Sequence, residues 1–110
     1  MCGSGRNLEE IAKFSQIIHI MDGSKSMIKE AKKIAIDIGS IKLNATVSLA
    51  EEYKFKKHHK RLGLVVGWWN LCYLELKDIK RYLKGVKSTL VKDGCIVLAE
   101  PVLSKLTDEI

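Results

Sequence analysis

Two glycines flank a serine in "CGSGRN", and an aspartate closes the apolar run "IIHIMD". Gly3 and Gly5 allow a backbone to turn tightly and to approach a ligand with no Cβ in the way. A helix starting near Arg6 or Asn7 would aim free N–H groups at the same point. Asp22 carries two acceptor oxygens at a spread that suits a vicinal diol. It follows the turn by roughly the 20 residues that separate a glycine turn from the acid on a nucleoside's ribose. Singly, a Gly-x-Gly is a tight turn and an Asp-Gly pair is a turn as well. Together they point to nucleoside binding.

Such a turn needs strands and helices to hold it, and the chain alternates them. "QIIHIMDG" suits a buried parallel strand at Ile17 to Met21, with His19 packed within it. "SKSMIKEAKKIAIDIG" follows as a helix, with Met27, Ala31, Ile34 and Ile38 on one face, Ser24 or Ser26 as N-cap and Gly39 as the stop. Ile41 to Val47 and Leu62 to Gly67 read as further strands, the second apolar throughout. Ile79, Tyr82, Leu83, Val86 and Leu90 form one face of a second long helix, and Cys95 to Ala99 a last strand. Strands alternating with helices imply parallel pairing by right-handed crossovers and an α/β, doubly wound sheet with flanking helices. Ligands bind such sheets at the carboxyl ends of the strands. The segments that leave strands are therefore the places to search: "CGSGRN", Asp22 to Ser24, "VSLAEE", "GWWNLCYL" and "AEP".

Composition sets the outer limits. The 110 residues, 46% hydrophobic and 29% charged, suit a single domain, 1–110. Neither a membrane span nor a secretory signal is evident, so a soluble cytoplasmic protein is expected, with the nucleus as a second compartment. Cys2, Cys72 and Cys95 have no Cys-x-x-Cys pairing and no histidine at ligand spacing, so they read as reduced, mostly packed thiols, and no metal is expected. Part of the net charge of +6 sits in "KFKKHHKR", Lys54 to Arg61. Only Phe55 interrupts that run, and a solvated loop is a better reading than a nucleic-acid site.

"CGSGRN", "MDGSKSMIKEAKK", "GWWNLCYL" and "LVKDGCIVLAEPV" occur in an order and at spacings that resemble the class I S-adenosylmethionine-dependent methyltransferases. Within them, Trp68 to Glu100 most resembles the N-terminal protein methyltransferases, which act on chains beginning Xaa-Pro-Lys. The resemblance implies a Rossmann-like, mostly parallel sheet that lacks the family's first strand and last strands, since the family turn reads acid-x-Gly-x-Gly-x-Gly after that first strand. It assigns S-adenosylmethionine as cofactor, with Gly3, Gly5 and Arg6 at the methionine moiety. Asp22 falls to the ribose and Gly23 and Ser24 alongside the nucleoside. Leu49 and Ala50 come beside the adenine, and Trp68 leads toward the methyl group. Trp69 and Asn70 border the acceptor peptide, and Tyr73 and Glu100 stand at the catalytic positions. Tyr73 replaces a family histidine, and Pro101 an asparagine, so the chemistry departs from the family more than the cofactor site does.

The expected function is methyl transfer to a protein amino terminus, with the N-terminal peptide as partner. The alternatives are a shortened, non-catalytic partner of another subunit, and a methyltransferase with a different small-molecule or nucleic-acid acceptor.

Overall fold

A computed structural model of the chain describes residues 2–68 and 71–100, Trp68 by its backbone alone. The elements run α1 (Leu8–Ala12), β1 (Ile17–Asp22), α2 (Lys25–Ile38), β2 (Lys42–Val47), β3 (Leu62–Trp68), α3 (Leu76–Thr89) and β4 (Leu90–Ala99). Short 3₁₀ segments lie at Ala50–Glu52, Phe55–His58 and Leu71–Tyr73. Parallel pairing joins β1 to β2, from Ile17 opposite Lys42 to Asp22 opposite Val47, and β3 to β4. The α/β class is as the sequence implied.

The sheet is not continuous. Among the described residues β1–β2 and β3–β4 form two separate two-stranded sheets. A cavity of about 930 Å³ is lined along its length by Ile17 to Met21 of β1 and by Leu62 to Val66 of β3. Backbone groups alternate sides along a strand. Gln16 and Asp22 carbonyls accept from Lys42 and Ser48 on the β2 side, so the backbone groups of Ile17, His19 and Met21 face the other way. Met21 O there accepts from Cys2 N at 2.8 Å, which anchors the glycine turn at the carboxyl end of β1.

Each sheet has its own core. Leu8, Ile18, Ile20, Ile28 and Ala31 form the first, and Ala50, Tyr82 and Val86 the second. Ser24 caps α2, its hydroxyl accepting from Met27 N, and Gly39 ends it at φ 73°. The buried face of α2 is Ile28, Ala31 and Ala35, one step round from the face expected through Met27, which is exposed. β1 takes residues that fit only the small side of the helix. On α3 the inner face is Tyr82, Val86 and Thr89, while Leu83 turns outward. The apolar run of β3 is not buried on both sides either, because Leu64 and Val66 open into the cavity. Of the thiols expected to pack, Cys72 and Cys95 are exposed, Cys95 on the outward side of a strand whose burial alternates.

A polar cluster bridges the two halves. The rings of His19 and His58 meet edge to face with centroids 4.5 Å apart, and His58 Nε2 shares a 2.8 Å hydrogen bond with Tyr53 Oη. His19, expected to pack within its strand, instead opens to the cavity, whereas His58 is only 6% exposed. Burial lowers the pKa of His58 below its ordinary 6.5, and His19, Lys57 and Arg61 lower it further. Desolvation and the charges of Lys57 and Lys42 act on His19 in the same direction. Because that ring is open to the cavity, buried His58 dominates the proton balance. Below pH 6.5 the unfolded chain therefore binds protons that the folded chain refuses. The unfolding midpoint is expected to be flat above pH 6.5 and to fall as the pH drops from there toward 5. In His58→Gln that slope shrinks, and an unchanged slope in denaturant titrations would remove His58 from the account.

Candidate functional site

Asp22 closes the site. Its Oδ2 accepts from Gly3 N at 2.9 Å and its Oδ1 from Ser24 N at 2.8 Å, so one carboxylate ties the turn before α1 to the start of α2. A carboxylate has about four acceptor positions. Each Asp22 oxygen thus retains one, and the pair still suits a vicinal diol.

The turn has the shape that close ligand approach requires. Gly3 and Gly5 adopt left-handed φ values of 59° and 86°. A Cβ at Gly3 would meet no atom within 4 Å, whereas at Gly5 it would lie 3.0 Å from the Cα and Cβ of Ala31, which is fully buried. The two glycines therefore have different tasks. Gly5 lets the turn sit on α2, and Gly3 faces open space above Asp22. Arg6, the expected carboxylate partner, is exposed next to this turn. The helix expected near Arg6 or Asn7 begins at Leu8.

Beyond β2, Ser48 N donates to Asp22 O, and Leu49 lies so near Gly23 that an added Cβ there would stand 2.8 Å from Leu49 Cδ2. Leu49 is 48% exposed and offers an apolar wall beside Gly23. Ala50 differs from expectation. Its side chain is buried against the core of Tyr82 and Val86, because the 3₁₀ turn it starts rolls inward. Contact with a base at that position is left to its backbone.

The other half of the expected site is arranged around Glu100. This residue follows β4, and its Oε1 accepts from Leu71 N at 2.8 Å and its Oε2 from Cys72 N at 3.3 Å. The carboxylate thus holds the 3₁₀ turn carrying Tyr73, whose side chain is 72% exposed. Glu100 and Tyr73 are brought together, with Glu100 already engaged as a backbone anchor. Trp69, Asn70, Pro101 and the Trp68 side chain lie outside the described residues. Cys2, Ser48 and the anchoring bonds of Glu100 escape sequence reasoning, since each is a backbone contact with no residue-type signature. Among the described residues no helix is long and apolar enough to cross a membrane, and no group of three or more His, Cys, Asp or Glu is placed to hold a metal ion.

Residues 1–94 match a family described as "Methyltransferase domain". Among solved structures, the chain is similar to phosphoethanolamine N-methyltransferase 1 of Haemonchus contortus in complex with phosphoethanolamine and S-adenosylhomocysteine. The TM-score is 0.80 at 22% identity, over 90% of this chain and 20% of that one. It is also similar to a SAM-dependent methyltransferase of Leishmania major (TM-score 0.77, 20% identity, 88% of this chain and 38% of that one). The YcgJ protein of Bacillus subtilis gives a TM-score of 0.75 at 18% identity, over 90% of this chain and 41% of that one. At these identities the likeness establishes the fold. The chain spans between a fifth and about two fifths of the length of these structures. No curated protein sequence matches it.

Proposed function

The chain belongs to the methyltransferase domain family, and from that premise we propose that it takes part in methyl transfer from S-adenosylmethionine to the α-amino group of a protein chain beginning Xaa-Pro-Lys. The observation that carries the cofactor assignment is Asp22, which binds both neighbouring turns and keeps an acceptor on each oxygen. Gly3 supplies open backbone, Leu49 and Gly23 an apolar wall, and Arg6 a cation for the methionine carboxylate. Bound S-adenosylmethionine supplies an electrophilic methyl group. The chain's own contribution is to hold a neutral amine in line with it, which is chiefly positioning. Glu100 and the Tyr73 turn are the groups for that task, with Trp69 and Asn70 assigned to the acceptor peptide by resemblance.

The acceptor is tested by offering the protein radiolabelled S-adenosylmethionine with three acceptors: a peptide beginning Ser-Pro-Lys, the same peptide acetylated at its amino terminus, and phosphoethanolamine. Label is expected in the free peptide and not in the acetylated one, whose amide nitrogen is no longer nucleophilic. Trp69→Ala is expected to reduce peptide use and to leave S-adenosylhomocysteine affinity nearly intact. Equal labelling of free and acetylated peptide, or preferential labelling of phosphoethanolamine, rejects the peptide acceptor while leaving the cofactor in place.

A second reading, a non-catalytic partner subunit, is favoured by the long cavity between β1 and β3. S-adenosylhomocysteine binding without transfer to any acceptor is its expected signature.

A further inference from the structure

The positive charge of this protein is concentrated in two segments that the fold brings together. Residues 53–61 carry five Lys or Arg and no carboxylate, and residues 76–89 carry five against Asp78. These two segments total +9 in a chain of +6, so the remaining residues are net −3. Far apart in sequence, the segments form the two walls of one groove of about 990 Å³. Lys54, Lys56 and Lys57 line it from the 3₁₀ side, and Arg81 and Lys84 from α3. Its floor is apolar. Tyr53 and Phe55 meet edge to face at 5.0 Å, and Phe55 rests on Tyr82 and against Gly85 of α3.

No carboxylate lines this groove. Among the described residues, ion pairs form at Lys13–Glu10, Lys33–Glu30 and Lys77–Glu75, none of which uses a groove cation. Gly3, Asp22, Gly23 and Leu49 lie outside it, so it is separate from the cofactor site. We propose that this groove binds single-stranded nucleic acid, with phosphates on the Lys54, Lys56, Arg81 and Lys84 side chains and bases against Tyr53 and Phe55.

Charge and shape together select that occupant. A single strand offers phosphates and flat apolar bases at short, alternating spacing, and the wall residues Tyr53 to Lys56 alternate ring and cation. Arg81 adds a planar fork suited to phosphate oxygens. A flat anionic membrane meets the lysine tips without reaching the floor, and an acidic peptide leaves the rings without stacking partners. Taken alone, the run Lys54 to Arg61 is a solvated loop with one ring in it. The added ring of Tyr53 and the opposing wall of α3 convert it into a groove.

The test uses the 110-residue protein and a fluorescein-labelled oligouridine of about 12 nucleotides, within the usual site range of roughly 4–16 nucleotides. Anisotropy is expected to give a Kd between about 10⁻⁴ and 10⁻⁶ M at low salt. The slope of log affinity against log salt is expected to fall by about 2 in the double variant Lys54→Glu/Lys84→Glu, one for each lost phosphate contact. Lys32→Glu on α2 makes a like change of charge outside the groove and is expected to alter binding little. S-adenosylhomocysteine affinity and the melting temperature are expected to stay unchanged in both variants. Three results would overturn the proposal: no binding at low salt, equal loss in Lys32→Glu and in the groove variant, or displacement of the oligonucleotide by a polyglutamate peptide or phosphatidylserine vesicles at lower concentration than by unlabelled oligouridine.

Discussion

Asp22→Ala is expected to weaken S-adenosylhomocysteine binding by on the order of 1–3 kcal/mol, roughly 5- to 150-fold, because a charged acceptor serving two hydroxyls is removed. The same change strips Gly3 N and Ser24 N of their partners. Part of the loss therefore arises from a looser turn, and the melting temperature falls as well. Asp22→Asn separates the two contributions. Its single oxygen satisfies one of the two N–H groups, so the fold recovers in part while the second acceptor for the diol stays absent. Titration calorimetry on the parent and both variants, alongside thermal melts, makes the distinction. An unchanged dissociation constant in Asp22→Ala, with the parent binding measurably, would end the ribose assignment.

Gly5→Ala is expected to cost about 2–4 kcal/mol of folding stability, a large share of the roughly 5–15 kcal/mol typical of a domain. Two costs combine. The residue sits at φ 86°, where a Cβ is strained, and that Cβ would press on the backbone of Ala31 at 3.0 Å and on Leu8 Cδ1 at 2.9 Å. Ala31 is fully buried in the middle of α2, so the helix itself must move. Gly3→Ala is the informative contrast. There the backbone strain of about 1 kcal/mol acts alone, since no atom lies within 4 Å of the new methyl group. That methyl enters the space a cofactor needs, so Gly3→Ala is expected to impair binding more than stability, and Gly5→Ala the reverse. Urea unfolding and calorimetry on the two variants give the comparison. Similar stability losses in both would show that the turn does not rest on α2 as described.

Much of the fold was legible because the chain's patterns are local. The apolar run ending in Asp22 and the Ser24 and Gly39 caps lie within a few residues of what they specify, and β1 and α2 formed where those signals stood. The helix faces were less legible, because periodicity finds an apolar stripe but not its centre. The backbone of β1 approaches α2 most closely over Ala31, and that selected Ile28, Ala31 and Ala35 over Met27. Likewise the apolar run at Leu62 to Gly67 announced a strand, while the exposure of Leu64 and Val66 followed from the cavity beside it.

Residue types and spacing by themselves determined the elements, their parallel class and the pairing of a glycine turn with Asp22, since steric freedom at glycine and acceptor capacity at a carboxylate are properties of the residues. Tertiary structure alone decided which contacts those residues make. It gave Gly5 to packing and Gly3 to open space, turned Ala50 into the core, engaged both Glu100 oxygens on the Tyr73 turn, and set α3 opposite the basic run. These are distances between segments remote in the chain, set by how two small cores pack, and no short-range pattern encodes a distance of that kind.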